Sequence, residues 1–361
     1  MADDFAHTPV LSDLTPHRST IAELREPWQV LATRCGSVFS TWEWASTWWE
    51  HAGAGREQAI TAWFDAAGDV VAIVPCYVWA RRPTRVLRLI GHGPADLLEP
   101  LVRPDLEHLA PALVEASLRL HRSGLFFGEE LPQQQGWVTA LAHATRHRAA
   151  SIPLLPLTPY DAWDDYLATL KKKLRHELRQ SARILAERGA TFRLAQGPDR
   201  LDADLNALFR LHRLRFDDTQ SGSFAGMESF HRAFARIALE RGWLRLWLLE
   251  LDGEAIAAWY GFRYGDCDWF YQTGRDPQWD HLAVGKAVIA RTIRAAIEDG
   301  VPLYSFGRGE VPYKRRLATG AMGFEAVLVP SGWVGRGAVL AARVIRRSSV
   351  LKRLLRGPLD A

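Results

Sequence analysis

Cysteine is scarce. Cys35, Cys76 and Cys267 stand far apart in a chain of 361 residues. That spacing offers no CxxC pair, no metal-ligand pattern and no disulfide framework, so a reduced cytoplasm is the expected setting and no metal is expected. No apolar run approaches the roughly 18–20 residues that a membrane span needs. The opening residues, MADDFAHTPVLSDL, lack the basic start and apolar core of a secretory signal. A strong charge bias is also missing: 45 lysines and arginines face 41 acids, a net charge of +4. Such mild basicity fits an anionic ligand or a membrane surface without demanding either. What the chain does have is apolar content, 48% of residues, enough for two domains with cores of their own. It also has fifteen tryptophans. Trp42, Trp44, Trp48 and Trp49 crowd one short stretch, which predicts core packing together with a lined groove.

The most organised stretch is 268–314, DWFYQTGRDPQWDHLAVGKAVIARTIRAAIEDGVPLYSFGRGEVPYK. Trp269, Phe270 and Tyr271 are strand formers, and Gly274, Asp276 and Pro277 are read as the strand's end. Val284, Val288, Ile289, Ile293, Ala296 and Ile297 then recur at helical spacing, closed by Gly300 and Pro302. A short apolar strand, 303–306, opens onto Gly307-Arg308-Gly309-Glu310. In a strand–loop–helix–strand unit of this kind, the first N–H groups of the helix make an anion site. Gly285 in the first turn removes a side chain where a ligand would come close.

Elsewhere, residues 1–20 read as a loose lead and 21–33 as a helix. Residues 59–64 and 70–79 form a hairpin, 85–90 a strand, 106–121 a helix and 125–127 a short strand. Four prolines in 132–160 end the first half. The second half opens on one long helical stretch, 163–188. A strand, two helices and a hairpin with an Asp252-Gly253 turn come next. The two halves repeat one order of elements, an internal duplication. The fold class is α/β with mixed, mostly antiparallel sheets flanked by helices, and parallel pairing is expected only at the last strand–helix–strand unit. Domain boundaries are set at 1–20, 21–155, 156–331 and 332–361.

The second half's order, with an anion site at the helix after its fourth strand, resembles the GNAT superfamily of acyl-CoA-dependent N-acyltransferases. FSTWEWASTWW, LRLIGHGPADLLEPLV, LKKKLRHELRQSARIL and FGRGEVPYKRRL are similar to the CelD/BcsL type, acetyltransferases of polysaccharide clusters. The resemblance spans about 25–330. It implies two tandem GNAT-like domains related in architecture to the FemABX peptidyltransferases, the first not binding CoA. The family's pyrophosphate loop, Q/R-x-x-G-x-G/A, stands here as His281-Leu282-Ala283-Val284-Gly285-Lys286-Ala287. Its first arginine or glutamine and its first glycine are missing.

The resemblance implies acetyl-CoA or another acyl-CoA as co-substrate. Its pantetheine arm would lie along Tyr271-Gln272-Thr273, and its phosphates near His281, Val284, Gly285, Lys286, Ala287 and Lys314. Glu310 is the expected general base, with Tyr313 and Asp217 beside it. Asp218, Asp96, Trp259 and Arg308 are expected at a small-molecule or saccharide acceptor. Three functions stay open: acyl transfer from CoA to an amine or hydroxyl, FemABX-like transfer from aminoacyl-tRNA, and a degenerate pair serving as a scaffold. The basic stretch 171–188 lacks interleaved aromatics, which argues against nucleic-acid readout. The basic, apolar tail 332–361 either meets an anionic membrane peripherally or packs on the domain.

Overall fold

The computed structural model describes residues 10–82, 84–133, 136, 138–141, 143–215, 224, 226–309 and 311–347. In chain order they form β1 (Thr15–Ser19), α1 (Arg25–Cys35), α2 (Trp42–Ala52), β2 (Glu57–Phe64), β3 (Val70–Ala80), β4 (Val86–Leu89), β5 (Leu101–Val102), α3 (Ala110–Leu120), β6 (Leu125–Pro132) and β7 (Thr145–Pro156). Then come α4 (Trp163–Thr169), α5 (Lys172–Glu187), β8 (Thr191–Leu194), α6 (Pro198–Arg215), α7 (Glu228–Glu240), β9 (Leu244–Leu251), β10 (Glu254–Tyr264), β11 (Cys267–Arg275), α8 (Val284–Glu298), β12 (Leu303–Ser305), α9 (Pro312–Leu317), β13 (Gly320–Pro330) and α10 (Gly332–Arg347).

Two compact units result. The first takes Met1–Cys35, Gly53–Ala150 and Gly323–Ala361; the second takes Gly36–Ala52 and Ser151–Met322. In the first unit the strands pair in the order β1-β2-β3-β4-β6-β13, all antiparallel except β4 with β6. In the second unit the order is β8-β9-β10-β11-β12-β7, all antiparallel except β11 with β12. The same scheme appears twice, as the repeated sequence pattern predicts. The parallel pair β4/β6 corrects the expectation that parallel pairing is confined to the last strand–helix–strand unit. Each unit also takes its closing strand from the other half of the chain.

Both hairpin signals are realised. Asp65 accepts from the N–H groups of Ala67 and Asp69, and Gly68 takes φ +87°. At the β9/β10 turn Asp252 and Gly253 have φ +52° and +80°, the left-handed pair such a turn requires. Three expectations are corrected. The lead contains β1, whose Thr15 to Ser19 pair with Phe64 to Ile60. The proline-rich region contains β7: Pro156 lies opposite Leu303, and the Pro153 carbonyl accepts from the Phe306 N–H. The long helix breaks at Leu170, whose backbone is extended, into α4 and α5.

The second unit has aromatic layers on both faces of its sheet. Strand alternation sends Trp259, Phe270 and Tyr304 into one core with Val284, Val288 and Ile293 of α8. Phe262 and Tyr271 face the other way, around Trp44 of α2. Trp44 meets Phe230 and Phe234 of α7 edge-on at 4.9 and 4.7 Å, the geometry aromatic quadrupoles favour. Trp44 and Trp48 are therefore core residues.

Gly274 does not end β11. A Cβ there would lie 2.5 Å from the His212 nitrogen and 2.6 Å from the Leu211 carbonyl carbon. The glycine lets the α6 backbone ride directly on the strand. Gly274→Ala is expected to lower stability by about 1–3 kcal/mol through overpacking. An unchanged midpoint in thermal denaturation would show that α6 lifts off freely.

Candidate active site

β11 and β12 share only three register pairs, Cys267 with Leu303, Asp268 with Tyr304 and Trp269 with Ser305. Beyond Trp269, β11 runs on beside β10 to Arg275. The chain after β12 turns away, and the Phe306 N–H goes to Pro153. Gly307 and Gly309, at φ +65° and +101°, shape that departure. The two strands therefore splay, and the edge of 270–275 faces the opening.

Lys314 of α9 pins the splayed loop. Its Nζ donates to the Arg308 carbonyl at 2.6 Å and to the Gly307 carbonyl at 3.5 Å. It also lies 5.0 Å from the centre of the Phe270 ring. The residue is only 5% exposed, and these partners are what make a buried ammonium tolerable.

At the mouth, Asp276 accepts from the Gln278 N–H and opens a tight turn. Ala283, in the left-handed conformation at φ +55°, hands that turn over to α8. The Lys286 and Ala287 N–H groups both close on the Ala283 carbonyl. The first-turn N–H groups of Val284 and Gly285 have no acceptor within the helix. A Cβ on Gly285 would come 3.2 Å from Arg275 Cδ, so the glycine leaves room for that side chain beside the helix start. Arg275 is bound to Asp280 through two hydrogen bonds. Lys286 pairs with Glu177 of α5 at 3.0 Å.

A cavity of about 400 Å³ opens here, lined among others by Arg215, Thr273, Arg275, Asp280, Gly285, Lys286 and Tyr313. Arg215, the last residue of α6, donates to the Thr273 carbonyl at 3.1 Å. It also shares a hydrogen bond with Tyr313. Burial pushes the Tyr313 phenol up, against the pull of Arg215, so it stays protonated at neutral pH. Burial pushes the Arg215 guanidinium down. The result is an opening with three cations, one carboxylate, a helix start and a protonated phenol.

Residues 172–315 match the acetyltransferase (GNAT) domain.

The cavity and the splay both lie within that GNAT segment. Among solved structures, FemX shares the fold at TM-score 0.63 and 11% identity, over 88% of this chain and 97% of that one. L-PGS from Bacillus licheniformis follows at 0.53 and 12%, over 85% and 97%. A tandem GNAT protein from the clavulanic acid biosynthesis pathway stands at 0.50 and 14%, over 89% and 99%. These likenesses establish the tandem GNAT fold. No curated relative matches the sequence.

The expected site residues of the GNAT domain separate into groups. Thr273, Gly285, Lys286 and Tyr313 come together at the cavity. Val284 is fully buried, and Ala287 lines a neighbouring hollow between α5 and α8. His281 is exposed, its Nδ1 3.0 Å from the Gln278 carbonyl. Gln272 hydrogen-bonds His212. Tyr271 brings its backbone to the splayed edge, but its hydroxyl lies 3.4 Å from His231 Nε2 on the opposite face. Trp259 is 1% exposed and stacked on Phe270, a core position that an acceptor cannot reach without repacking. Arg308 contributes its carbonyl to Lys314. Asp96 is buried in the first unit. Glu310, Asp217 and Asp218 lie outside the described residues. Arg215 and Arg275 were not anticipated.

Behind β11, burial lowers His231 to about 3 and His212 to about 4. Both are neutral in the fold at pH 7, whereas an unfolded chain takes up their protons near pH 6.5. Their contribution is complete above pH 6.5 and is lost as the pH falls toward 3–4. Each adds a slope of up to about 1.4 kcal/mol per pH unit in that window. The melting temperature should therefore drop between pH 7 and pH 5, and His231→Met should flatten the drop. Identical slopes for both proteins would refute the assignment.

Proposed function

We propose that the second unit is an acyltransferase that takes an acyl group from an acyl-CoA and delivers it to an amine or hydroxyl. The observation that carries this reading is the splay: three register pairs, then a strand that runs on past its parallel neighbour toward a cationic helix start. The pantetheine arm would pair with the backbone of 270–273. The diphosphate would rest at the Gly285 N–H, with Arg275 and Lys286 releasing Asp280 and Glu177 to meet it. The acceptor's nitrogen or oxygen adds to the thioester carbonyl, and a backbone N–H of the edge steadies the oxyanion. Collapse breaks the C–S bond, and the Tyr313 phenol gives the leaving thiolate its proton. Glu310, through a water, takes the acceptor's proton, and Asp217, Asp218 and Arg308 orient the acceptor. The polysaccharide-cluster motifs favour a saccharide acceptor, and the scarcity of cysteine favours a cytoplasmic setting.

A second reading makes aminoacyl-tRNA the donor. It is supported by the exposed row Lys171, Lys172, Lys173, Arg179 and Arg183 along α5 and by the fold shared with FemX. Thermal shift separates the two. Acetyl-CoA at one hundred times its Kd should stabilise the protein by about 2.7 kcal/mol. No shift with any CoA ester, together with tight tRNA binding, would transfer the assignment to the second reading. Neither response would leave a scaffold.

A further inference from the structure

We infer that α10 is a membrane-docking helix that lies on anionic lipid. One face of the helix is already taken. A Cβ on Gly335 would lie almost on the Gly124 carbonyl, and Val339, one turn later, is 7% exposed. The other side carries large apolar groups in water: Trp333 is 94% exposed, Val334 61% and Leu340 63%. Trp333 and Leu340 are seven residues apart, two turns along a single face. An exposed tryptophan suits the headgroup boundary, where its ring is wetted on one side only. Arg336 is exposed on the same helix. Residues 332–347 hold four arginines, Arg336, Arg343, Arg346 and Arg347, and no acid. Beside the helix a hollow of about 340 Å³ is lined by His143, Pro330, Arg336, Val339 and Leu340, which would admit a headgroup or the start of an acyl chain.

Charge selects the occupant. A second copy would bring Arg336 toward its own counterpart across a two-fold axis, with no acid in 332–347 to answer it. Three apolar side chains also fall short of the roughly 800 Å² per partner that a stable protein interface buries. An anionic bilayer meets both features, taking the apolar stripe into its boundary layer and Arg336 at its phosphates.

The test is co-sedimentation of the full chain with vesicles of phosphatidylcholine alone and of phosphatidylcholine mixed with phosphatidylglycerol. The protein should pellet with the anionic vesicles and far less with the neutral ones. The double variant Trp333→Ser/Leu340→Ser keeps every charge and alters only exposed side chains, so its circular dichroism should match the parent. Its partitioning should fall by about tenfold or more. Failure of the parent to pellet with anionic vesicles overturns the inference. So does equal pelleting of the variant, which would reduce the effect to net charge. A dimer seen by light scattering and lost in the variant would give the face to a second copy instead.

Discussion

Gly285→Asp is expected to weaken acetyl-CoA binding about a hundredfold without destabilising the unliganded protein. Two effects act on the donor. The new side chain begins 3.2 Å from Arg275 Cδ, which must move from the place a phosphate would use. Its carboxylate then occupies the helix start that the diphosphate needs. Together these amount to about 3 kcal/mol, at 1.4 kcal/mol per decade of affinity. The effects on the empty protein run the other way. Aspartate is a better helix residue than glycine, and a negative charge in the first turn of α8 interacts well with the helix dipole, by about 0.3–1 kcal/mol. Calorimetric titration and a melting curve read the two separately. Retained affinity would place the phosphates elsewhere, and a collapsed melting temperature would make Gly285 a folding residue.

Tyr313→Phe is expected to lower kcat about a hundredfold and leave donor affinity within about twofold. A positioned acid typically contributes between about 10² and 10⁴, and water can replace part of it. The phenol is half-buried against the core, raised in pKa and hydrogen-bonded to Arg215, so its ring stays packed when the hydroxyl is removed. Because the phenol must be protonated to act, the wild-type rate should fall on the alkaline side of its raised pKa. The variant should lose that limb. A hundredfold loss with the limb intact would mean that Tyr313 only positions Arg215.

Several of these features are legible in the residues alone. The Asp252-Gly253 turn, the apolar stripe of α8 and the glycine in its first turn each have a local cause, and local causes survive folding. β7 hides because proline reads as a breaker. A proline removes a donor but keeps its carbonyl, and Pro153 uses that carbonyl to hold Phe306. Trp259 misleads for a different reason. It belongs to a strand near the opening, yet strand alternation fixes which face its ring joins, and only the packed helices reveal which face is core. Arg215 could not be found locally. It reaches the cavity because Gly274 lets α6 lie on β11, a coincidence of two positions 59 residues apart in number only after folding. The strained start of α8 is similar: Ala283 gives no hint in sequence of its left-handed backbone.

The traded closing strands, β7 and β13, constrain how this protein can be dissected. No single scission of the gene yields two self-sufficient pieces, because a fragment ending near residue 155 forfeits the edge partner of β6 and its remainder forfeits that of β12. Each piece would expose a bare sheet margin, the usual seed of aggregation. The two lobes thus stand or fall as one when the chain is cut.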